Sequence, residues 1–156
     1  MAQPDPANEL TSAFEEARKR RIELHGALVQ LEKEISSPAR GRPAAWAADV
    51  TRALTSLQAA FDEHIEATER PGGLYEEILE TSPRLAGQVR RLQDEHPKIH
   101  ASIGAELDRF TPPIDGGTVD DLRDDLQRVM GLVVRHRQRG ADLVWEAYNL
   151  DIGGAE

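Results

Sequence analysis

Five histidines, His25, His64, His96, His100 and His136, are the residues of this chain whose types and spacing suit chemistry best. Imidazole ligates borderline divalent ions and exchanges protons near neutral pH. Two of the five stand four apart in "DEHPKIH" (94–100), a spacing that stacks both rings on one face of a helix. Pro97 lies between them and removes the helix hydrogen bond to the carbonyl of residue 93, a kink that can aim the two rings differently. No cysteine is present, so thiolate nucleophiles, zinc fingers and a disulfide framework are excluded.

The elements that must position these rings are helical. Of the 156 residues, 39% are hydrophobic and 4% aromatic, which predicts an aliphatic, all-α core in a single domain spanning 1–156. Proline and glycine clusters at "SSPARGRP", "RPGG", "TSP" and "TPPIDGG" divide the chain. Between them the pattern predicts long helices at about 6–36, 44–69, 83–110 and 118–149, with a short extra helix at 74–80. Asp5 is the expected N-cap of the first, ahead of Pro6, and Thr118 with Asp121 caps the fourth. Short connections make successive helices antiparallel neighbours, hence an up-down four-helix bundle.

Each helix carries a seam of alternating three- and four-residue steps. In the second it runs Val50, Leu54, Leu57, Phe61, His64, Thr68, and in the fourth Leu122, Leu126, Val129, Val133, His136, Gly140, Leu143, Ala147. In the third it passes through Val89, Leu92, His96, then Ile99 or His100, and Ile103. The first has Leu10, Phe14, Ala17, Leu24, Leu28, Leu31 and Ile35, with His25 beside Leu24. All five histidines are therefore expected on or beside inward faces, converging on one cavity. Levelling His25 with His64 requires the second helix to overhang the first by roughly 15 Å.

One histidine on each of three helices and an HxxxH pair on the remaining one resembles the hemerythrin-like family, or HHE cation-binding proteins. The stretches "FDEHIEATERPGGLYEEILETSPRLAGQVRRLQDEH" and "HRQRGADLVWEAYNLDIGG" are similar to bacterial members. The resemblance implies a non-haem di-iron centre ligated by His25, His64, His96, His100 and His136 and linked by carboxylates. It also implies a small ligand such as dioxygen, nitric oxide or peroxide. The chain departs from the family at the acids: Thr68, Gly140 and Ala141 occupy their positions. Glu69 and Asp142, the acids that remain as possible additional ligands, are one residue away, a rotation of about 100° that turns them off the seam. Five neutral imidazoles without acids suit a single divalent ion better than two ferric ions. Water, an exogenous anion, Tyr75 or Tyr148 can enter the space beside Gly140. The alternative is a metal-free bundle, a structural or interaction module with a buried histidine network.

Other chemistries are thin. The formal charge of -9 opposes nucleic-acid and anionic-membrane partners. The one basic run, Arg18-Lys19-Arg20-Arg21, reads as a solvated helix face. There is no signal-like segment and no apolar run approaching a membrane span, so a cytoplasmic monomer or homodimer is expected. No nucleophile elbow, P-loop or dinucleotide fingerprint occurs. The glycine pairs read as turns and the acidic pairs as helix-start charges. An enzymatic role finds no general acid to support it. Trp46 and Trp145 are expected to cap the ends of the core, unless Trp145 belongs to a dimer face.

Overall fold

The computed structural model describes residues 6–110, 113–114 and 116–150. Five α-helices follow one another: α1 (Pro6–Ser36), α2 (Pro43–Glu69), α3 (Leu74–Thr81), α4 (Ala86–Arg109) and α5 (Gly116–Trp145). A 3₁₀ turn, Pro83–Leu85, precedes α4, and a π turn, Glu146–Leu150, follows α5. No strand occurs among the described residues, so the all-α expectation holds. The expected Asp5 cap and the end of the C-terminal stretch lie outside the described residues.

Two boundaries differ from expectation for local reasons. Helix α5 begins at Gly116, two residues before Thr118, so Thr118 sits inside the first turn instead of capping it. The third long helix opens as a 3₁₀ turn at Pro83–Leu85 and becomes α-helical only at Ala86.

The long helices pack as α1 on α2, α2 on α4 and α4 on α5. Contacts between neighbours run in reversed order. Along α1 and α2, Glu16 pairs with Arg70, Arg20 with Glu63, and the Ile35 carbonyl with the Trp46 indole. Along α4 and α5, Gln88 bonds Glu146, Glu95 bonds Arg139, and Arg109 pairs with Asp125. Trp46 is fully buried, and its Nε1–H donates to Ile35 O at 3.4 Å. Arg123 lies over the Trp46 ring and donates to Ile35 O and Ser37 O at 3.0 and 2.8 Å. The Ile35 carbonyl in the last turn of α1 and the Ser37 carbonyl just beyond it are thereby satisfied. Trp145 is 55% exposed and does not cap the core.

Apolar burial divides into two clusters. One, from Leu24 to Ile35 and Val50 to Phe61, meets Ile99, Ile103 and the α5 seam from Val119 to Val133. The other joins Ala17, Leu74, Tyr75, Ile78, Leu85, Val89, Leu92 and Leu143. Phe61 belongs to the first and Tyr75 to the second, and histidines fill the layer between them. The corner that delivers Tyr75 depends on two glycines. Gly72 has φ +76°, and a Cβ on Gly73 would stand 2.8 Å from the carbonyl oxygens of Ala67 and Arg70. No described helix is long and apolar enough to cross a membrane.

Candidate metal centre

Three seams bring three rings together. His64 of α2, His96 of α4 and His136 of α5 are 8%, 1% and 1% exposed. His136 Nε2 lies 3.2 Å from His64 Nε2 and 3.1 Å from His96 Nε2. One ligand atom from each ring falls within 4.8 Å of the other two, the one such histidine or acid cluster found among the described residues. Phe61 floors the group, its centroid 5.7–5.8 Å from all three rings. Tyr75 stacks on His96 from the other side at 6.0 Å.

The far nitrogens decide the protonation pattern. His96 Nδ1–H donates to Glu69 Oε2 at 2.7 Å, and His136 Nδ1–H donates to Glu95 Oε1 at 2.8 Å. An ionised carboxylate only accepts, so in each neutral ring the proton resides on Nδ1 and Nε2 presents a lone pair. Two lone pairs then face each other across 3.1 Å. Without a cation between them that contact is repulsive; with one it is a ligand pair. Metal–imidazole bonds of about 2.0–2.1 Å place donor atoms about 2.9 Å apart at a right angle and about 3.4 Å apart at a tetrahedral angle. Two of the three separations, 3.1 and 3.2 Å, lie between these limits, and the third, between His64 and His96, is within 4.8 Å.

Electrostatics suits the same role. Burial pushes His64 well below the ordinary imidazole range, reinforced by the neighbouring His96 and His136. Burial also lowers His96 and His136, although the hydrogen bonds to Glu69 and Glu95 work in the opposite direction. All three rings are thus neutral near pH 7, the form that ligates. Glu69 and Glu95 stand behind two of the rings, where such carboxylates orient an imidazole and raise its basicity toward a metal ion. Glu95 is held in turn by Arg139 at 2.7 Å.

The other expected residues fall elsewhere. His25 is exposed: Arg20 pairs with Glu63, so the level of His64 on α1 is residue 20 or 21, and His25 lies about 6 Å farther along. His100 is exposed and bonds Asp62 at 2.9 Å, because Ile99, three residues after His96, takes the buried seam position. The reading of all five rings as inward is corrected to three. Thr68 is buried, its hydroxyl donating to the His64 and Ile65 carbonyls at 2.9 and 3.1 Å. Ala141 is half-buried. Asp142 is exposed and accepts from Gln138 at 3.1 Å. Tyr148 donates to Glu77 at 2.5 Å rather than entering the histidine layer. Burial pushes the Tyr75 phenol well above its usual range, so it remains protonated. Glu69, expected off the seam, does leave it, but it reaches the back of a ring on the neighbouring helix.

Sequence reasoning missed Glu95, Arg139 and Arg21. A cavity of about 30 Å³ adjoins His64, lined by Arg18, Arg21, Thr68, Tyr75 and Gly140 together with apolar residues. The signal for Arg21 was present: the α1 seam steps from Ala17 by four to Arg21 and by three to Leu24. Arg21, half-buried, therefore leaves the solvated face assigned to the basic run, whereas Arg18 stays exposed at the cavity rim. Comparison with family models, curated proteins and solved structures gives no match.

Proposed function

We propose that His64, His96 and His136 hold one divalent transition-metal ion through their Nε2 atoms, in a hemerythrin-like up-down bundle whose centre is reduced from two ions to one. The observation that carries this reading is the pair of opposed Nε2 lone pairs, each fixed by a carboxylate on the same ring's Nδ1. Histidines that ligate metals characteristically donate their other N–H to such a partner. The residues do not fit the di-iron centre: three imidazoles converge instead of five, and the bridging-acid positions are Thr68, Gly140 and Ala141. They do fit ferrous iron or zinc, which accept imidazole and leave coordination positions for a small ligand.

Such a bound ion supplies Lewis acidity and an open position. Dioxygen, nitric oxide or peroxide as that ligand follows from the family resemblance. The protein's own contribution is to keep the rings neutral, fix their tautomers and exclude bulk water with Phe61 and Tyr75. The reversed order of contacts between neighbouring helices supports the up-down topology.

A metal-free histidine network is the second reading, favoured by N···N separations that also suit hydrogen bonds. It needs a proton between His96 and His136, against the direction in which burial moves both rings.

Elemental analysis with an absorption spectrum tests the choice, on protein expressed with iron and never exposed to a nickel column. One iron or zinc per chain is expected. Two irons per chain would restore the dinuclear centre, and folded protein without metal would leave the network reading.

A further inference from the structure

Two of the three histidines have a carboxylate behind Nδ1, and the third does not. His64 is 8% exposed, and its Nδ1 is buried without a hydrogen-bond partner. With Nε2 on an ion, the proton of the neutral ring must sit on Nδ1, a donor that needs an acceptor. Of the three rings, His64 alone lines the cavity of about 30 Å³. That volume takes about two water-sized groups.

The cavity wall contains Arg18 and Arg21 and no carboxylate. This is unusual company in a chain of net charge -9, where Arg20, Arg70 and Arg139 each meet an acid. Arg18 has a distant partner, Glu15 at 3.7 Å. Arg21 has no ion pair or hydrogen bond among the described residues, and Arg137, whose Nε is buried and unpartnered, has none either. Arg21 and Arg137 repel each other. An unmatched guanidinium, that of Arg21, beside a buried donor attracts an anion. Gly140 keeps the space clear, since a Cβ there would meet nothing within 4 Å.

We propose that this cavity binds a small planar carboxylate or oxyanion of the size of formate or bicarbonate, which accepts from His64 Nδ1–H and from the Arg21 guanidinium. The anion stands to His64 as Glu69 stands to His96 and Glu95 to His136: it is the third outer acceptor, taken from solution. The assignment rests on the metal reading, because ligation through Nε2 is what places the proton on Nδ1. A monoanion offsets the charge of Arg21, and the guanidinium fork matches a planar carboxylate with two parallel hydrogen bonds.

The test is calorimetric titration of the zinc-loaded full chain with sodium formate, against sodium chloride at equal ionic strength, with zinc content measured on every sample. Saturable formate binding is expected, weakened at least tenfold in Arg21→Gln and lost in Gly140→Leu, with one zinc per chain throughout. Absence of saturable formate binding by the zinc-loaded wild type, or equal binding by Arg21→Gln, overturns the anion site and leaves the metal site standing. Failure of the wild type to take up zinc instead overturns the metal reading. The metal-free chain is then titrated in the same way, and a formate response that does not depend on Arg21 overturns the anion site as well.

Discussion

His96 Nε2 and His136 Nε2 stand 3.1 Å apart while their own Nδ1 atoms are committed to Glu69 and Glu95. The relationship fixes where the protons are and where they are not. The two acids come from α2 and α4 and each reaches a ring on a neighbouring helix, so the pattern is set by helix packing and not by any one segment.

Removing a ligand should remove the ion. His64→Ala, His96→Ala and His136→Ala are each expected to lower metal content at least tenfold, whereas His25→Ala and His100→Ala leave it unchanged. Elemental analysis of the five variants, purified alongside the wild type, gives the answer. Retained stoichiometry in the first three would exclude those rings as ligands.

Removing an outer carboxylate should weaken binding without abolishing it. Glu69→Ala and Glu95→Ala are expected to reduce metal affinity about 10–100-fold, the usual consequence of losing a partner that orients an imidazole and raises its basicity. Glu66→Ala, on the same helix as Glu69 and exposed, serves as the control. Competition with a chelator of known affinity measures the difference; equal affinity in all three would show that the carboxylates do not act on the ion.

Acid should destabilise the metal-free chain. Burial holds His64, His96 and His136 below their ordinary value of 6.5. Above that pH the rings are neutral in both folded and unfolded chains, and pH has no leverage through them. Below it the unfolded chain gains protons that the folded chain resists, so stability falls by up to about 1.4 kcal/mol per pH unit for each ring. Thermal melts between pH 7 and 5 should show the decline, and His64→Leu should make it shallower. A flat profile across that range is incompatible with three buried neutral rings.

Gly140 should be replaceable at a gain in stability. It lies within α5, has no positive φ, and a Cβ there meets nothing within 4 Å. Gly140→Ala is expected to stabilise the chain by about 0.5–1 kcal/mol through reduced backbone entropy of the unfolded state. Denaturant unfolding compared with the wild type checks this, and a loss of stability would mean that the space beside residue 140 is smaller than described.

The helices were legible because proline and glycine punctuate them and because each seam keeps its three-and-four rhythm. That rhythm also placed His64, His96 and His136 correctly, since a seam residue must face the core. It misplaced His100, where the alternatives Ile99 and His100 both fit the count and the aliphatic residue took the buried position. It misplaced His25, because a seam specifies a face but not the height at which two helices meet. Glu95 and Arg139 were hidden for a third reason: they sit beside their seams, and their roles, like the one Glu69 takes, arise from side-chain reach across to another helix.

The three converging rings come from α2, α4 and α5, and α1 contributes none. An ion held there would fasten three helices to one another and leave the first attached by its apolar seam and its ion pairs with α2. Amide hydrogens around His64, His96 and His136 should then exchange more slowly when metal is present, with little change over most of α1. Because Arg21 is on that helix, an anion in the cavity would tie to the site the one long element that the ion leaves out.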